Sequence, residues 1–135
     1  AATILQPALG RVGGIWEAKK IAAMAEGWNV QMAPHLYCGP VEWAANIQFA
    51  ASIPNLLMIE TIETPFHAAL IKGAISVEGG YVTPPSGPGL GIEVDEELAR
   101  THLWSGESLH LQMQDAPCDY TDENVFEGGA PSMES

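Results

Sequence analysis

The stretch Val30-Gln31-Met32-Ala33-Pro34-His35 is an apolar, strand-like run that ends at a proline and a histidine. A second apolar run, Asn55-Leu56-Leu57-Met58-Ile59-Glu60, follows one helix later and ends at a carboxylate. In proteins built from βα repeats, the C-terminal ends of the parallel strands form the face on which active sites are built. His35 and Glu60 are therefore the candidate site residues, because they mark two neighbouring strand ends.

The front of the chain alternates between strand and helix patterns. Strands are predicted over residues 3–7, 29–33 and 56–60, and helices over residues 15–26 and 40–52. Apolar residues at helical spacing and a closing glycine predict the first helix, and a proline at its first position predicts the second. The β-α-β-α-β order predicts adjacent parallel strands with both helices on one side. The apolar run at residues 56–59 predicts a strand that is buried on both faces.

The alternation of strand and helix patterns ends after residue 63. Residues 74–83 alternate like a β-hairpin around Gly79-Gly80, and residues 83–91 form a turn-rich stretch. A short helix is predicted from Asp95, its N-cap, to about His102. We therefore divide the chain into a βαβαβ segment (residues 1–63), a hairpin and short-helix segment (64–114) and an acidic tail (115–135). The tail is predicted to be extended or disordered unless another surface covers it.

Charge and composition argue against several classes of function. The chain has 17 acidic and 5 Lys and Arg side chains, and its net charge of −12 disfavours binding to nucleic acid and to anionic membranes. No apolar run reaches the roughly 20 residues of a membrane helix, and no signal stretch opens the sequence. Cys38 and Cys118 lack metal-ligand spacing and suit a reducing cytoplasm, with a disulfide between them as an open alternative. We expect a cytoplasmic location.

Three strands and two helices are too few to close a sheet on itself. Both outer strands would keep an unpaired edge, and the apolar faces would be poorly covered. We therefore expect the chain to be part of something larger, with the missing portion upstream in a longer chain or across a subunit interface. The 135 residues alone are expected to be catalytically inactive and to form homo-oligomers.

Several motifs together resemble one known family. They are Gln6-Pro7-Ala8-Leu9-Gly10-Arg11-Val12-Gly13-Gly14, Ala33-Pro34-His35, Gly39-Pro40, Ile53-Pro54-Asn55, Glu60 and Pro88-Gly89-Leu90-Gly91-Ile92-Glu93. In order and spacing they resemble the C-terminal third of the mandelate racemase/muconate lactonizing enzyme family, and within it the mandelate racemase subgroup of the enolase superfamily. The resemblance covers about residues 1–103. It implies an α/β fold: an incomplete, modified TIM barrel with the sixth to eighth strands and a segment that returns toward a cap domain.

The resemblance also implies a reaction. An acid-sugar dehydratase, cycloisomerase or racemase of this kind removes a proton α to a carboxylate, and Mg²⁺ stabilises the enediolate. His35 occupies the position of the family's base, a role that suits imidazole because its unperturbed pKa lies near neutrality. Glu60 matches a carboxylate that, when protonated, donates a hydrogen bond to the substrate. The implied partners are a small acid sugar and the missing N-terminal barrel and cap, which would supply every Mg²⁺ ligand.

The chain departs from the family pattern at Ala8, where the family has an aspartate paired with the histidine. Such an aspartate fixes the imidazole tautomer and stabilises the imidazolium. This departure supports a second hypothesis, a non-catalytic structural or interaction polypeptide of the same descent. A third hypothesis is an unrelated βαβ binding module. Gly13-Gly14 does not support it, because this pair lacks the G-x-G-x-x-G pattern and the P-loop lysine and is predicted to be a tight turn before a helix.

The remaining histidines and the tryptophans are predicted to have structural roles. His67, His102 and His110 lack partners at metal spacing and are predicted to be surface or packing residues. Trp16, Trp28 and Trp43 are predicted to pack in the core or between the barrel and its helices.

Overall fold

The computed structural model describes residues 2–61, 64–72 and 75–103. The elements are β1 (Ile4–Leu5), α1 (Leu9–Val12), α2 (Ile15–Glu26), β2 (Gln31–Met32), α3 (Pro40–Ala51), α4 (Pro65–Leu70), β3 (Ile71–Lys72), β4 (Val77–Glu78), β5 (Tyr81–Val82), β6 (Glu93–Val94) and α5 (Glu96–Thr101). All of them belong to one unit, Ala1–Leu103. The acidic tail, Cys118 and His110 lie outside the described residues.

Parallel pairing joins the front of the chain in the predicted order. β1 pairs with β2 in the register Ile4↔Gln31 and Leu5↔Met32. A further parallel bridge joins Met32 to Leu56, where the Met32 N–H donates to the Asn55 carbonyl and the Leu57 N–H donates to the Met32 carbonyl, both at 2.8 Å. The prediction that these three segments are adjacent and parallel is confirmed.

The strands are shorter than the apolar runs indicated. β1 and β2 have two residues each, and residues 56–60 contribute one bridge. Pro7 and Pro34 follow β1 and β2, and a proline has no N–H to donate to a ladder. The prediction that residues 56–59 are buried on both faces is wrong here, because Leu56, Leu57 and Met58 are 36%, 39% and 59% exposed. This segment is the outer one of the described sheet, so one of its edges is open.

The two crossover helices build the core. α2 has the predicted bounds, and α3 ends one residue before its predicted end. Buried alanines of α2 at helical spacing pack with Leu9, Met32 of β2 and Phe49 of α3. Phe49 is 0% exposed, and burying a side chain of this size contributes about 1.5–3 kcal/mol. This cluster fixes β2, and therefore the strand end that follows it.

The tryptophan prediction holds for one of three residues. Trp43 is 3% exposed, but Trp16 and Trp28 are 70% and 83% exposed, so packing is the wrong interpretation for these two. Trp16 lies two positions before the buried Ala18, which places it away from the packed face of α2. Its ring instead lies 5.6 Å from the Lys20 ammonium.

The rest of the described chain contains both predicted and unpredicted elements. The hairpin is confirmed: β4 and β5 pair antiparallel around Gly79-Gly80, which have φ values of 58° and 81°. The Asp95 cap of α5 is confirmed as well, since its carboxylate accepts from the Leu98 N–H at 3.0 Å. Helices α1 and α4 and the antiparallel pair β3–β6 were not predicted.

Within the described ranges, the structure contains no helix of the length and hydropathy needed to span a bilayer.

Candidate functional site

The predicted site residues lie at one end of the parallel sheet. Beyond the ladder, the His35 N–H donates to the Pro7 carbonyl at 3.2 Å and the Glu60 N–H to the Pro34 carbonyl at 3.5 Å. A parallel bridge pairs Ala8 with His35. The chain thus continues in register past the prolines, and the prediction that Ala8, His35 and Glu60 share one end of the sheet is confirmed.

The side chains of His35 and Glu60 are in direct contact. Glu60 Oε2 lies 2.7 Å from His35 Nδ1 and also accepts a hydrogen bond from the Leu36 N–H at 2.7 Å. Each of the two side chains is 41% exposed. Within the described residues, the other ring nitrogen, Nε2, has no hydrogen-bond partner. One edge of the imidazole is therefore held, and the other is available to a ligand.

A cluster of buried side chains packs against the residues next to this pair. Leu36, next to His35, packs with Trp43 and Ile47 of α3, and Ile59, next to Glu60, packs against the same cluster. From α3, the fully buried Asn46 donates from Nδ2 to the His35 carbonyl at 3.4 Å. Residues adjacent to both site side chains are thus held by one set of contacts, which restricts their relative motion.

A hollow of about 190 Å³ lies beside His35. It is lined by Ala8, Gly10, Arg11, His35, Tyr37, Cys38 and Glu42. Glu42, in the first turn of α3, accepts from the Gly10 N–H at 2.9 Å and so ties α1 to α3. Sequence reasoning missed this residue; its position shortly after the Gly39-Pro40 helix start was the available signal. The hollow combines a guanidinium, an imidazole and a carboxylate, groups that can form hydrogen bonds with a polar ligand.

Cys38 also lines the hollow but is a poor nucleophile. It is a free thiol, and burial, followed by its hydrogen bond to Glu42 and the negative charge of that residue, raises its pKa to about 11. Because the thiolate is the reactive form, a thiol with such a pKa is almost entirely unreactive at neutral pH. Cys38 is therefore not a candidate nucleophile of this site.

A larger cavity, of about 700 Å³, lies beside α1 and α3 and is bounded mainly by apolar and glycine residues. It shares Gly10, Cys38 and Glu42 with the smaller hollow, but neither His35 nor Glu60 lines it. We assign the site by its chemistry rather than by volume.

The described residues do not fit a magnesium site. Across residues 2–61, 64–72 and 75–103, no three His, Cys, Asp or Glu side chains are placed to hold a metal ion. Mg²⁺ requires octahedral oxygen coordination, and the His35–Glu60 pair offers a single carboxylate.

The other described histidines, His67 and His102, agree with the prediction of surface or packing residues: His102 is exposed and His67 is half-buried. The ring of His102 lies 4.9 Å from that of Phe66, and the ring of His67 lies 6.3 Å from the same phenylalanine. Neither lines the hollow beside His35.

Residues 1–98 match the family described as enolase C-terminal domain-like. The chain belongs to this family. Its fold is therefore that of the TIM-barrel-like α/β domain of enolases, and the resemblance to the mandelate racemase subgroup is confirmed by solved structures.

A mandelate racemase/muconate lactonizing enzyme-like protein from Roseovarius sp. TM1035 is 75% identical, with a TM-score of 0.79 over 89% of this chain and 30% of that one. An enolase from Pantoea ananatis, solved with bound D-gluconate and magnesium, is 30% identical with a TM-score of 0.72, over 78% and 26% of the two chains.

Curated relatives of this enolase C-terminal domain-like chain act on acid sugars. A D-galactonate dehydratase from Ralstonia pickettii is 41% identical over 104 residues, which is 71% of this chain and 27% of the relative. A D-galactarolactone cycloisomerase from Agrobacterium fabrum is 37% identical over 107 residues, which is 72% of this chain and 28% of the relative. The chain thus spans about a quarter of the length of the curated relatives that it matches.

Proposed function

We propose that His35 is the base of an acid-sugar dehydratase or cycloisomerase that removes a proton α to a carboxylate. The observation that carries this proposal is the His35–Glu60 pair at the C-terminal ends of parallel strands. Enzymes with TIM-barrel folds build their active sites at this face. The related dehydratase, cycloisomerase and gluconate-bound enolase support the substrate class.

In the proposed site, the chain contributes the sixth to eighth strands of the barrel and the segment that returns toward the cap. The rest of the barrel and the cap would complete the substrate pocket. Mg²⁺ is the proposed cofactor of the whole enzyme, and its ligands are proposed to lie outside the described residues. A cytoplasmic location and a homo-oligomeric state belong to the same proposal.

His35 has the properties that this reaction requires. Its Nε2 has no hydrogen-bond partner among the described residues and its side chain is 41% exposed, so this nitrogen could accept a proton from a substrate C–H group. Arg11 lines the same hollow and offers a positive charge to a carboxylate substrate. Loss of the β-hydroxyl after proton removal would give a 2-keto-3-deoxy acid, whereas a lactone substrate would instead be opened or rearranged.

The test uses the protein produced from its complete reading frame, supplied with Mg²⁺. D-galactonate, D-gluconate and D-galactarolactone are incubated with it, and products are followed by NMR. We expect turnover of at least one, abolished by His35→Asn and retained by His102→Asn, a matched histidine outside the site. Equal turnover by wild type and His35→Asn would contradict the role of His35, and no turnover of any of the three compounds would contradict the proposed enzymatic activity.

Ala8 favours one other candidate function, a non-catalytic structural or interaction polypeptide of the same descent. The alanine cannot supply the carboxylate that the family pairs with its histidine. The same assay discriminates the two, because a non-catalytic protein would neither turn over an acid sugar nor exchange its α-proton.

A further inference from the structure

The imidazole of His35 lies between two neighbouring strand ends. On one side, Ala8 is its partner in a parallel bridge, and adjacent strands are only about 4.8 Å apart. A methyl group can neither donate nor accept a hydrogen bond. Ala8 therefore supplies no group that could fix the ring.

The carboxylate that contacts the ring comes from the opposite side. Glu60 ends the segment that pairs with β2 at Met32↔Leu56, and its Oε2 lies 2.7 Å from His35 Nδ1. The same oxygen accepts from the Leu36 N–H at 2.7 Å. Because one backbone donor already holds Oε2, the carboxylate has a defined position before any ligand arrives.

We propose that Glu60 is the positioning residue of His35: it holds the ring in the Nδ1–H tautomer and takes the orienting role that Ala8 cannot perform. This differs from the substrate-facing role that the family resemblance implies for Glu60. The orientation is independent of the reaction, whereas its catalytic consequence rests on the proposed function.

The consequence follows from the tautomer. With Nδ1–H donating to Glu60, the lone pair of Nε2 is free to take the α-proton. The substrate C–H bond breaks, the proton bonds to Nε2, and the electron pair stays on the substrate as the enediolate. The imidazolium that results keeps both N–H bonds, and the Glu60 carboxylate balances its charge.

The direct test is the tautomer of His35 in the protein labelled with ¹⁵N-histidine, measured by two-bond ¹⁵N–¹H NMR in alkaline solution, where imidazole is neutral. An unconstrained neutral histidine prefers the Nε2–H form, so the proposed Nδ1–H form is the opposite of what an unconstrained ring would show. We expect Nδ1–H in the wild type and Nε2–H in Glu60→Ala. The His35→Asn spectrum assigns the resonances.

Two variants distinguish whether Glu60 positions the His35 ring or only holds the backbone through the Leu36 N–H. Glu60→Gln keeps an acceptor for both N–H groups but removes the charge, so the Nδ1–H tautomer should persist. Ala8→Asp combined with Glu60→Ala offers a carboxylate from the other strand without restoring the Leu36 contact. This double variant should recover the Nδ1–H tautomer, whereas a purely structural role for Glu60 would leave it unrecovered.

Proton exchange in the Mg²⁺-loaded protein tests the consequence. Glu60→Ala should lower the exchange rate about 100-fold or more, mainly in kcat, and the double variant should restore part of it. A wild-type ring in the Nε2–H form, or a tautomer unchanged by Glu60→Ala, would overturn the proposal whatever the activity. The expected tautomers without exchange on any acid sugar would uphold the positioning and overturn the proposed function instead.

Discussion

His35 Nδ1 lies 2.7 Å from Glu60 Oε2, although the whole of α3 separates these residues along the chain. The crossover explains this distance, since it returns the chain to a strand that is parallel and adjacent to β2. The histidine and the carboxylate therefore reach the same end of the sheet. The contact is a product of the fold rather than of local sequence.

Asn55 should be important for stability, because it ties the third segment to the rest of the sheet. Its Nδ2 donates to the carbonyls of Ala22 at 3.1 Å and Val30 at 2.9 Å. Asn55→Ala should cost about 1–3 kcal/mol, the sum of two net hydrogen bonds. Asn55→Asp should cost more, because a carboxylate would face two carbonyl oxygens. Urea unfolding of both variants checks the order, and an aspartate variant as stable as the alanine one would contradict it.

Gly10 and Glu42 should be energetically coupled. A Cβ on Gly10 would lie 2.7 Å from Glu42 Oε2, so the carboxylate would have to move and give up the Gly10 N–H. We expect Gly10→Ala to lower the free energy of unfolding by about 1 kcal/mol more in the wild type than in a Glu42→Ala background. A double-mutant cycle from urea unfolding measures this difference. Additive effects would show that the contact is energetically unimportant.

The folded protein should lose stability in alkali because of Cys38. Its pKa is raised from 9.0 to about 11 in the folded chain, so the unfolded thiol loses its proton first. The stabilisation is complete below pH 9.0 and is lost as the pH rises toward 11. Comparison of wild type with Cys38→Ser by urea unfolding across this range should show a wild-type decline that the serine variant lacks. A parallel decline in both would assign the effect to other groups.

The same thiol should resist alkylation. In a Cys118→Ser background, iodoacetamide should modify Cys38 far more slowly in the folded than in the unfolded protein at neutral pH. Glu42→Gln should speed the reaction, because it removes the negative charge that disfavours the thiolate. An unchanged rate in that variant would contradict the influence of Glu42.

Hydrophobic periodicity, with the glycines and prolines at the ends of elements, was enough to predict the N-terminal part of the fold. The bounds of α2, the start of α3 and the parallel order of the strands follow from local signals and from the handedness of crossovers. The shared location of His35 and Glu60 follows from that order. Their hydrogen-bond distance and the shared contact with Leu36 depend on side-chain placement, which no sequence pattern specifies.

Two different reasons explain why some helices and strands were not predicted. The pairing of β3 with β6 joins Ile71 to Val94, and such non-local contacts leave no periodic signal in short strands. Helix α4 did have a signal: Thr64 accepts from the His67 N–H at 3.1 Å as N-cap, and Pro65 begins the helix. Trp16 shows that hydrophobic character alone does not predict burial.

The most direct test of the account is exchange of the substrate α-proton. The protein from the complete reading frame, loaded with Mg²⁺, is incubated with an acid sugar in D₂O, and deuterium at the α-carbon is followed by NMR. Exchange is seen even when no product leaves, so it reports on proton abstraction without requiring the later steps. We predict exchange by the wild type and by His102→Asn, and its loss in His35→Asn. Exchange that persists unchanged in His35→Asn would contradict the assignment of His35 as the base.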